Sequence, residues 1–202
     1  MDICFATNNI HKVQEVSQLL NDRFRIVSLL DIGCTEELPE TRDTLAGNSE
    51  EKATYVYQHY HVNCFADDTG LEVDALQGRP GVHSAHYAGP QRNSEDNMQR
   101  LLNELEDQLN LTGQENRGAQ FRTIITLWLG NQRHQFEGII RGHIAAERSG
   151  TQGFGYDPIF IPEGHPQSFA EMTADEKNQM SHRGRAVRKL VQFLEDSSQS
   201  HD

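Results

Sequence analysis

The first third of the chain alternates between short apolar runs and amphipathic segments. Residues 2–6, 25–29 and 62–66 are predicted strands, and residues 44–60 and the segment around Val13 and Val16 carry apolar side chains at helical spacing. This βαβαβ order is followed by a strand-rich middle and then by C-terminal helices. The pattern predicts an α/β protein, in which a mixed sheet lies between helical layers as an α/β/α sandwich.

The rest of the chain supplies the other predicted elements. Residues 94–109 have the strongest helical pattern, with Ser94 as the expected N-cap. Thr173 and Glu176 match a capping box that opens another helix, and a last helix is predicted after residues 181–184. The Gly-rich residues 150–158 predict a loop whose backbone can approach a ligand closely. Further strands are predicted at residues 71–76, 121–129, 134–140, 142–145 and 159–161.

A length of 202 residues and a net charge of −12 limit the possible functions. The length is typical of one domain, expected over residues 1–196, with residues 197–202 as a disordered tail. The negative charge disfavours binding to a nucleic-acid polymer, which needs a cationic surface. It permits a small phosphorylated substrate that binds together with Mg²⁺ and meets a few local cations.

Cysteine spacing and hydropathy argue against further classes of protein. Cys4, Cys34 and Cys64 are far apart and include no Cys-x-x-Cys pair, so neither a zinc knuckle nor a disulfide framework is expected. The sequence shows no signal-peptide pattern and no apolar run of membrane-spanning length. A cytoplasmic protein that does not contact a membrane is therefore expected.

Asp67 and Asp68 directly follow the strand predicted at residues 62–66 and precede Thr69 and Gly70. Ligands of open α/β sheets bind beyond the carboxyl ends of strands, so this pair is a candidate site for a divalent metal and an activated water. Adjacent residues of an extended chain point to opposite faces, and only one carboxylate can then face a given ligand. The alternative is an ordinary Asp-Asp-Thr-Gly turn, since these residues are common in turns.

A second candidate site lies where the first predicted strand meets the first helix. Thr7, Asn8 and Asn9 are typical capping residues. A helix start offers an anion free backbone N–H groups and the positive end of the helix dipole, and Lys12 can add a charge for phosphate. The segment has no Gly-rich Walker pattern, so it is not a P-loop. The alternative is a capped helix with a solvated lysine.

Five motifs occur in order along the chain. They are Thr-x-Asn-x-x-Lys from Thr7, Ala-Asp-Asp-Thr-Gly-Leu from Ala66, Gly-x-Pro-Gly from Gly78, Gly-Phe-Gly-Tyr-Asp-Pro from Gly153 and Glu-Lys-x-x-x-Ser-His-Arg-Gly from Glu176. In this order they resemble the inosine triphosphate pyrophosphatase (ITPase-like) family, from about Ile3 to Leu194. Each motif alone has modest specificity, whereas five in the right order are hard to obtain by chance.

The resemblance implies hydrolysis of deaminated purine nucleoside triphosphates (ITP, dITP and XTP) to monophosphate and pyrophosphate, which cleanses the nucleotide pool. Such enzymes need Mg²⁺, are usually homodimers, and have a long mixed sheet and two lobes. By motif matching, Glu40 and Asp68 would hold the metal and Asp68 would be the catalytic carboxylate. The implied substrate-binding residues are Thr7, Asn8, Asn9, Ile10, His11, Lys12, Thr69, Phe154, Gly155, Tyr156, Asp157, Lys177, His182 and Arg183.

The sequence departs from the family pattern at two places. Gly47 stands where many relatives have a glutamate near the metal, and His86 stands where they tend to have arginine. In relatives that arginine is a cation on the phosphate side of the substrate. Histidine is often uncharged at neutral pH, so position 86 of this chain does not always carry that positive charge. Two other functions fit the same residues: a catalytically silent nucleotide-binding module, and a pyrophosphatase that prefers modified pyrimidine nucleotides.

Overall fold

The computed structural model describes residues 2–20, 24–113 and 115–199, with side chains up to Ser197. The helices are α1 (Ile10–Leu20), α2 (Leu45–Tyr60), α3 (Ser94–Thr112), α4 (Ala174–Met180) and α5 (His182–Gln199). The strands are β1 (Asp2–Phe5), β2 (Arg25–Val27), β3 (Cys64–Val73), β4 (Pro80–Gly81), β5 (Gly118–Leu129), β6 (Gln132–Ile144) and β7 (Phe160–Pro162). None of the described helices combines the length and the hydropathy that a membrane span requires.

The strands form a mixed sheet, as predicted. Their order is β2-β1-β3-β5-β6-β7, and β4 pairs with β3. β1 is parallel to both β2 and β3, as expected for strands that are connected through helices. β4 is antiparallel to β3, and β7 is antiparallel to β6. The predicted α/β class is thereby confirmed.

The chain divides into two compact units, in agreement with the two lobes that the resemblance implied. The first unit comprises Met1–Asp68, Thr123–Gly138 and His182–Asp202, and the second comprises Thr69–Arg122 and Ile139–Ser181. Each unit is assembled from separate stretches of the chain, so no single linker divides them. The single domain over residues 1–196 stays a prediction.

In the first unit, side chains of β1 and β3 alternate between two cores. Phe5 and Phe65 stack with ring centroids 4.5 Å apart, in the core that also holds apolar side chains of α1 and α5. Cys4 and Cys64 lie in the other core, beside Ala53 of α2. Burial raises the pKa of the Cys4 and Cys64 thiols to about 12, so both are protonated core residues.

Asp67 and Asp68 lie inside β3, which corrects the strand end predicted after residue 66. β1 stops at Phe5, the partner of Phe65, whereas β3 continues to Val73. The two carboxylates therefore follow the carboxyl end of the neighbouring parallel strand. The alternative of an Asp-Asp-Thr-Gly turn is wrong. The strand predicted at residues 71–76 is the last part of β3, followed by the 3₁₀ turn Asp74–Leu76.

Other element boundaries also differ from the predictions. Asn93, and not Ser94, is the N-cap of α3, because its side chain accepts hydrogen bonds from the N–H groups of the first turn. β6 is one strand where two were predicted. α5 continues to Gln199, so the expected tail is helical over residues 197–199, and residues 200–202 lie outside the described residues. The capping box of Thr173 and Glu176 is confirmed.

The first turn of α5 packs against β6 at Gly138. A Cβ added to Gly138 would lie 1.9 Å from the carbonyl oxygen of His182 and 2.6 Å from the backbone nitrogen of Ala186. No larger residue permits this approach of helix and strand backbones. The contact fixes the helix turn that carries Arg183.

Candidate active site

A buried network of ion pairs in the first unit surrounds Asp67. Lys12 of α1 donates a 2.9 Å hydrogen bond from Nζ to Asp67 Oδ1, and Arg183 of α5 donates from Nε to Asp67 Oδ2 at 3.3 Å. Arg183 also donates from Nη1 to Glu15 of α1. Asp67 is 1% exposed and Arg183 is 2% exposed. The side chains of α1 and α5 therefore meet at one carboxylate of β3.

The surrounding cations keep Asp67 ionised in spite of its burial. Burial raises the pKa of Asp67, but the attraction of Lys12, Arg183 and Lys52 is larger and holds the pKa well below its usual range. Burial lowers the pKa of Lys12, and the charge of Asp67 opposes that effect. Asp67 is thus a fixed anion that holds Lys12 and Arg183 in place.

Asp68 points to the opposite face of β3, where it meets Lys52 of α2. Lys52 Nζ donates a 2.5 Å hydrogen bond to Glu40 Oε1 and lies 3.8 Å from Asp68 Oδ1. Burial lowers the pKa of Lys52, but the charges of Asp68 and Glu40 outweigh burial and raise it. Lys52 is therefore a buried ammonium group that two carboxylates share.

Asp67 and Asp68 differ in pKa although they are neighbours. Burial raises the pKa of Asp68, and the attraction of Lys52 and Lys12 does not compensate for it. One carboxylate is held as an anion, while the next one binds a proton more readily than an exposed aspartate does. Neighbouring acids whose pKa values are pushed apart are typical of general acid–base sites.

Residues 7–12 connect β1 to the first turn of α1. Asn9 Oδ1 accepts hydrogen bonds from the backbone N–H groups of His11 at 3.0 Å and Lys12 at 3.3 Å, and Thr7 Oγ1 accepts one from Asn9 N–H at 3.2 Å. The predicted capping of α1 is therefore confirmed for Asn9, whereas Thr7 accepts the N–H of Asn9 itself, before the helix. Phosphate binding here stays a prediction. The exposed side chains of this turn are those of Asn8, Asn9, Ile10 and His11.

In the second unit, Asp157 links an aromatic residue to a buried lysine. Asp157 Oδ2 accepts hydrogen bonds from the backbone N–H of Phe154 at 2.8 Å and from Lys177 Nζ at 2.7 Å. Lys177 Nζ lies 5.0 Å from the centroid of the Phe154 ring, within the range of a cation–π interaction. Asp157 and Lys177 are both buried. The Gly-rich loop is therefore held to α4 by one carboxylate.

The other predicted residues of the second unit lie around this loop. Tyr156 is buried and donates a 2.9 Å hydrogen bond from its hydroxyl to the carbonyl oxygen of Ser84. Burial raises the pKa of Tyr156, so its hydroxyl is protonated and can donate. Gly155 has a φ of 64°, in the left-handed region. Thr69 is a partly exposed residue of β3.

Sequence reasoning missed two residues of the first unit, Lys52 and Glu15. Lys52 lies on the buried face of α2, together with Leu45 and Val56. A lysine within an apolar helical stripe is unusual, and its place in that stripe is the sequence signal that indicates a buried lysine. Glu15 gave no such signal, because it meets Arg183 only through the packing of α1 and α5.

Glu40 and Asp68 are the residues of the first unit that fit a divalent cation. The ammonium group of Lys52 contacts both of them, so their oxygens already share a positive charge. Among the described residues, no group of three or more His, Cys, Asp or Glu side chains is suited to hold a metal. Mg²⁺ often uses only one or two carboxylates, together with waters and substrate phosphates. The donor set therefore suits Mg²⁺.

The chain is similar to known proteins over nearly its whole length. Residues 3–193 match the model of the Ham1 family. The dITP/XTP pyrophosphatase of Flavobacterium psychrophilum is 50% identical over 196 residues, which are 97% of this chain and 100% of that protein. The dITP/XTP pyrophosphatase of Porphyromonas gingivalis is 52% identical over 192 residues, which are 95% of this chain and 96% of that protein. The solved structure of a HAM1 protein from Coxiella burnetii is similar with a TM-score of 0.88 at 32% identity, covering 97% of this chain and 99% of that one.

Proposed function

Because the chain belongs to the Ham1 family, we propose that it hydrolyses deaminated purine nucleoside triphosphates (ITP, dITP and XTP) to the monophosphate and pyrophosphate. Two of its relatives, at 50% and 52% identity, are dITP/XTP pyrophosphatases by name. The structural observation that carries the proposal is the placement of Asp67 and Asp68 on opposite faces of β3, Asp67 paired with Lys12 and Arg183 and Asp68 beside the buried Lys52. This arrangement of carboxylates and cations supplies a proton acceptor and fixed positive charges.

Asp68 is the proposed general base. Its carboxylate lies on the face of β3 that also meets Lys52, the face proposed to receive the metal and the phosphates. The oxygen of the attacking water forms a bond to the α-phosphorus, and the proton of that water passes to the Asp68 carboxylate. The bond between the α-phosphorus and the bridging oxygen breaks, and pyrophosphate leaves with the electron pair.

Lys12 is the proposed cation for the negative charge that develops on the phosphates. Asp67 fixes its ammonium group at 2.9 Å, and Arg183 fixes Asp67 in turn. A charge that is already in position stabilises a transition state without further reorganisation. Residues 7–11 add the positive end of the α1 helix dipole, to which an anion is attracted. The N–H groups of Asn9 and His11 already donate to Thr7 and Asn9.

Mg²⁺ is the proposed cofactor, with Glu40 and Asp68 as its protein ligands. When bound, Mg²⁺ supplies a positive charge for the phosphates and makes a coordinated water more acidic. Lys52 contacts both Glu40 and Asp68 and offsets part of their negative charge. Its ammonium group is then available to a phosphate oxygen once the carboxylates have another cation.

Phe154 is proposed to stack on the purine, with Thr69, Gly155, Tyr156, Asp157 and Lys177 as the other substrate-binding residues of the second unit. Stacking of a base on an aromatic side chain contributes about 1–3 kcal/mol. A 6-oxo purine accepts a hydrogen bond where adenine presents an amino donor, so a buried donor rejects adenine. His182 is the proposed donor. Arg183 is proposed to act through Asp67, which it contacts.

The proposal has four further parts: cleansing of the nucleotide pool, a cytoplasmic location, a homodimeric state and the single domain over residues 1–196. They rest on the family resemblance. Gel filtration with light scattering measures the oligomeric state directly, and a homodimer is the expected result.

Pyrophosphate release from ITP, XTP, dUTP and ATP with Mg²⁺ tests the proposed function. We expect turnover of ITP and XTP, and turnover of ATP that is lower by about a hundredfold or more. Asp68→Asn is expected to lose about 10²–10⁴-fold in turnover while it still binds nucleotide. Binding without turnover in the unmodified chain would indicate a silent nucleotide-binding module, and a preference for dUTP would indicate a pyrimidine enzyme.

A further inference from the structure

Two histidines of the second unit face each other across a short turn. His83 and His86 are three residues apart, at the 3₁₀ turn Ser84–His86, and both are exposed. His83 Nδ1 lies 3.3 Å from His86 Nε2, and the two rings are inclined at 70° with centroids 5.4 Å apart. The residues proposed above to bind nucleotide do not include this pair, although His86 stands where relatives tend to have a phosphate-side arginine.

The separation of the two nitrogens matches that of neighbouring ligands on one metal ion. Imidazole nitrogens bind Zn²⁺ at about 2.0–2.1 Å, and in a tetrahedral site two of them are about 3.3–3.4 Å apart. A histidine pair at this spacing can therefore take a metal ion without a change of backbone. Water or an external ligand can complete the coordination, because both side chains are exposed.

The backbone that carries the pair is held in place by Ser84. Ser84 Oγ donates a 2.6 Å hydrogen bond to the carbonyl oxygen of Gly81 and accepts one of 2.9 Å from Leu71 N–H. Its own carbonyl oxygen accepts the hydroxyl of Tyr156. Because the turn is already fixed, a bound ion has to order only the two imidazole rings, which reduces the entropy cost of binding.

We propose that His83 and His86 form a binding site for a late first-row divalent cation such as Zn²⁺, Ni²⁺ or Cu²⁺. Imidazole ligands suit these ions, whereas Mg²⁺ prefers oxygen. The site is thus chemically distinct from Glu40 and Asp68. It is an open site with two protein ligands, since no group of three or more suitable side chains occurs in the described part of the chain.

Calorimetric titration of the full chain with ZnCl₂, after removal of metals by a chelator, tests this proposal. His83→Ala and His86→Ala are expected to weaken Zn²⁺ binding by about tenfold or more, since loss of an outer-shell partner already costs 10–100-fold. His165→Ala is the matched control, because His165 is another exposed histidine of the second unit. The control is expected to bind Zn²⁺ like the unmodified chain, and circular dichroism shows whether each variant is folded.

Electron paramagnetic resonance with one equivalent of Cu²⁺ provides a second measurement. The spectrum of the unmodified chain is expected to show coupling to two imidazole nitrogens, and that of His86→Gln to one. Unchanged Zn²⁺ affinity and unchanged nitrogen coupling in the His83 and His86 variants would overturn the proposal. Absence of Zn²⁺ binding at millimolar concentration would likewise overturn it, and the pair would then be a hydrogen-bonded imidazole pair only.

Discussion

Lys12 and Asp67 are 55 positions apart in the sequence and form an ion pair of 2.9 Å, in which the carboxylate is buried and the lysine partly exposed. Arg183 contacts the other oxygen of the same carboxylate. Asp67 therefore acts as the common anion of two cations from different helices. Its neighbour Asp68 has no equivalent role, because its side chain lies on the other face of β3 beside Lys52.

The two adjacent aspartates should respond differently to the same substitution. Asp67→Asn leaves Lys12 and Arg183 without their shared buried anion and is expected to lower the free energy of unfolding by about 3–5 kcal/mol. Asp68→Asn removes a carboxylate whose ionisation burial disfavours and leaves Lys52 paired with Glu40, so its stability loss is expected to be smaller than that of Asp67→Asn. Urea unfolding measures both changes at neutral pH. A loss in Asp68→Asn as large as that in Asp67→Asn would contradict the assignment.

The contribution of Asp67 to stability should depend on pH. Its pKa is lower in the folded protein than in the unfolded chain, where it is about 3.9. The contribution is therefore fully present above about pH 4 and is lost as the pH falls toward the folded pKa. The stability difference between the unmodified chain and Asp67→Asn is expected to be constant between about pH 5 and 7 and to narrow below about pH 4. The measurement is urea unfolding as a function of pH. A stability difference between the two proteins that stays constant at all pH values would refute the prediction.

Removal of Lys52 should make the first unit depend more on Mg²⁺. Lys52→Met leaves Glu40 and Asp68 without the ammonium group that neutralises them, so the thermal midpoint without metal is expected to fall. A ligand that binds the folded state raises the midpoint, and the rise with Mg²⁺ is expected to be larger in this variant than in the unmodified chain. Lys189→Met, at an exposed lysine of α5, is the control. Equal rises in all three proteins would argue against Glu40 and Asp68 as metal ligands.

Two glycines of the Gly-rich loop offer a matched test of the Asp157 contacts. Gly153 and Gly155 have φ values of 73° and 64°, so alanine at either position is strained by about 1–2 kcal/mol. A Cβ at Gly153 would lie 2.0 Å from Asp157 Oδ2, whereas one at Gly155 meets no atom within 4 Å. Gly153→Ala is therefore expected to lose about 1–3 kcal/mol more than Gly155→Ala, because Phe154 N–H and Lys177 lose their acceptor. Equal losses in urea unfolding would show that this acceptor contributes little.

Local chemistry in the sequence was sufficient for the strongly periodic and capped elements. The apolar stripe of α2 and the capping box of Thr173 and Glu176 depend on residues within a few positions of each other, so no distant contact is needed to recognise them. The order of the five motifs was sufficient to identify the family. The five motifs also identify the residues proposed for the site. Their residue types suit the binding of phosphate, a hard cation and a flat base.

Tertiary structure alone decided how these residues are used. Asp and Gly disfavour strands, and Asp, Thr and Gly are common in turns, so local chemistry predicted that β3 ends before Asp67. Pairing with neighbouring strands overrides that propensity and carries β3 through to Val73. The same holds for Lys52 beside Glu40 and for Arg183 beside Glu15, which are contacts between separate elements. The sequence by itself determined which charges are present. The packing of α1, α2 and α5 against β3 determined that Asp67 is held as an anion and that Asp68 binds a proton more readily.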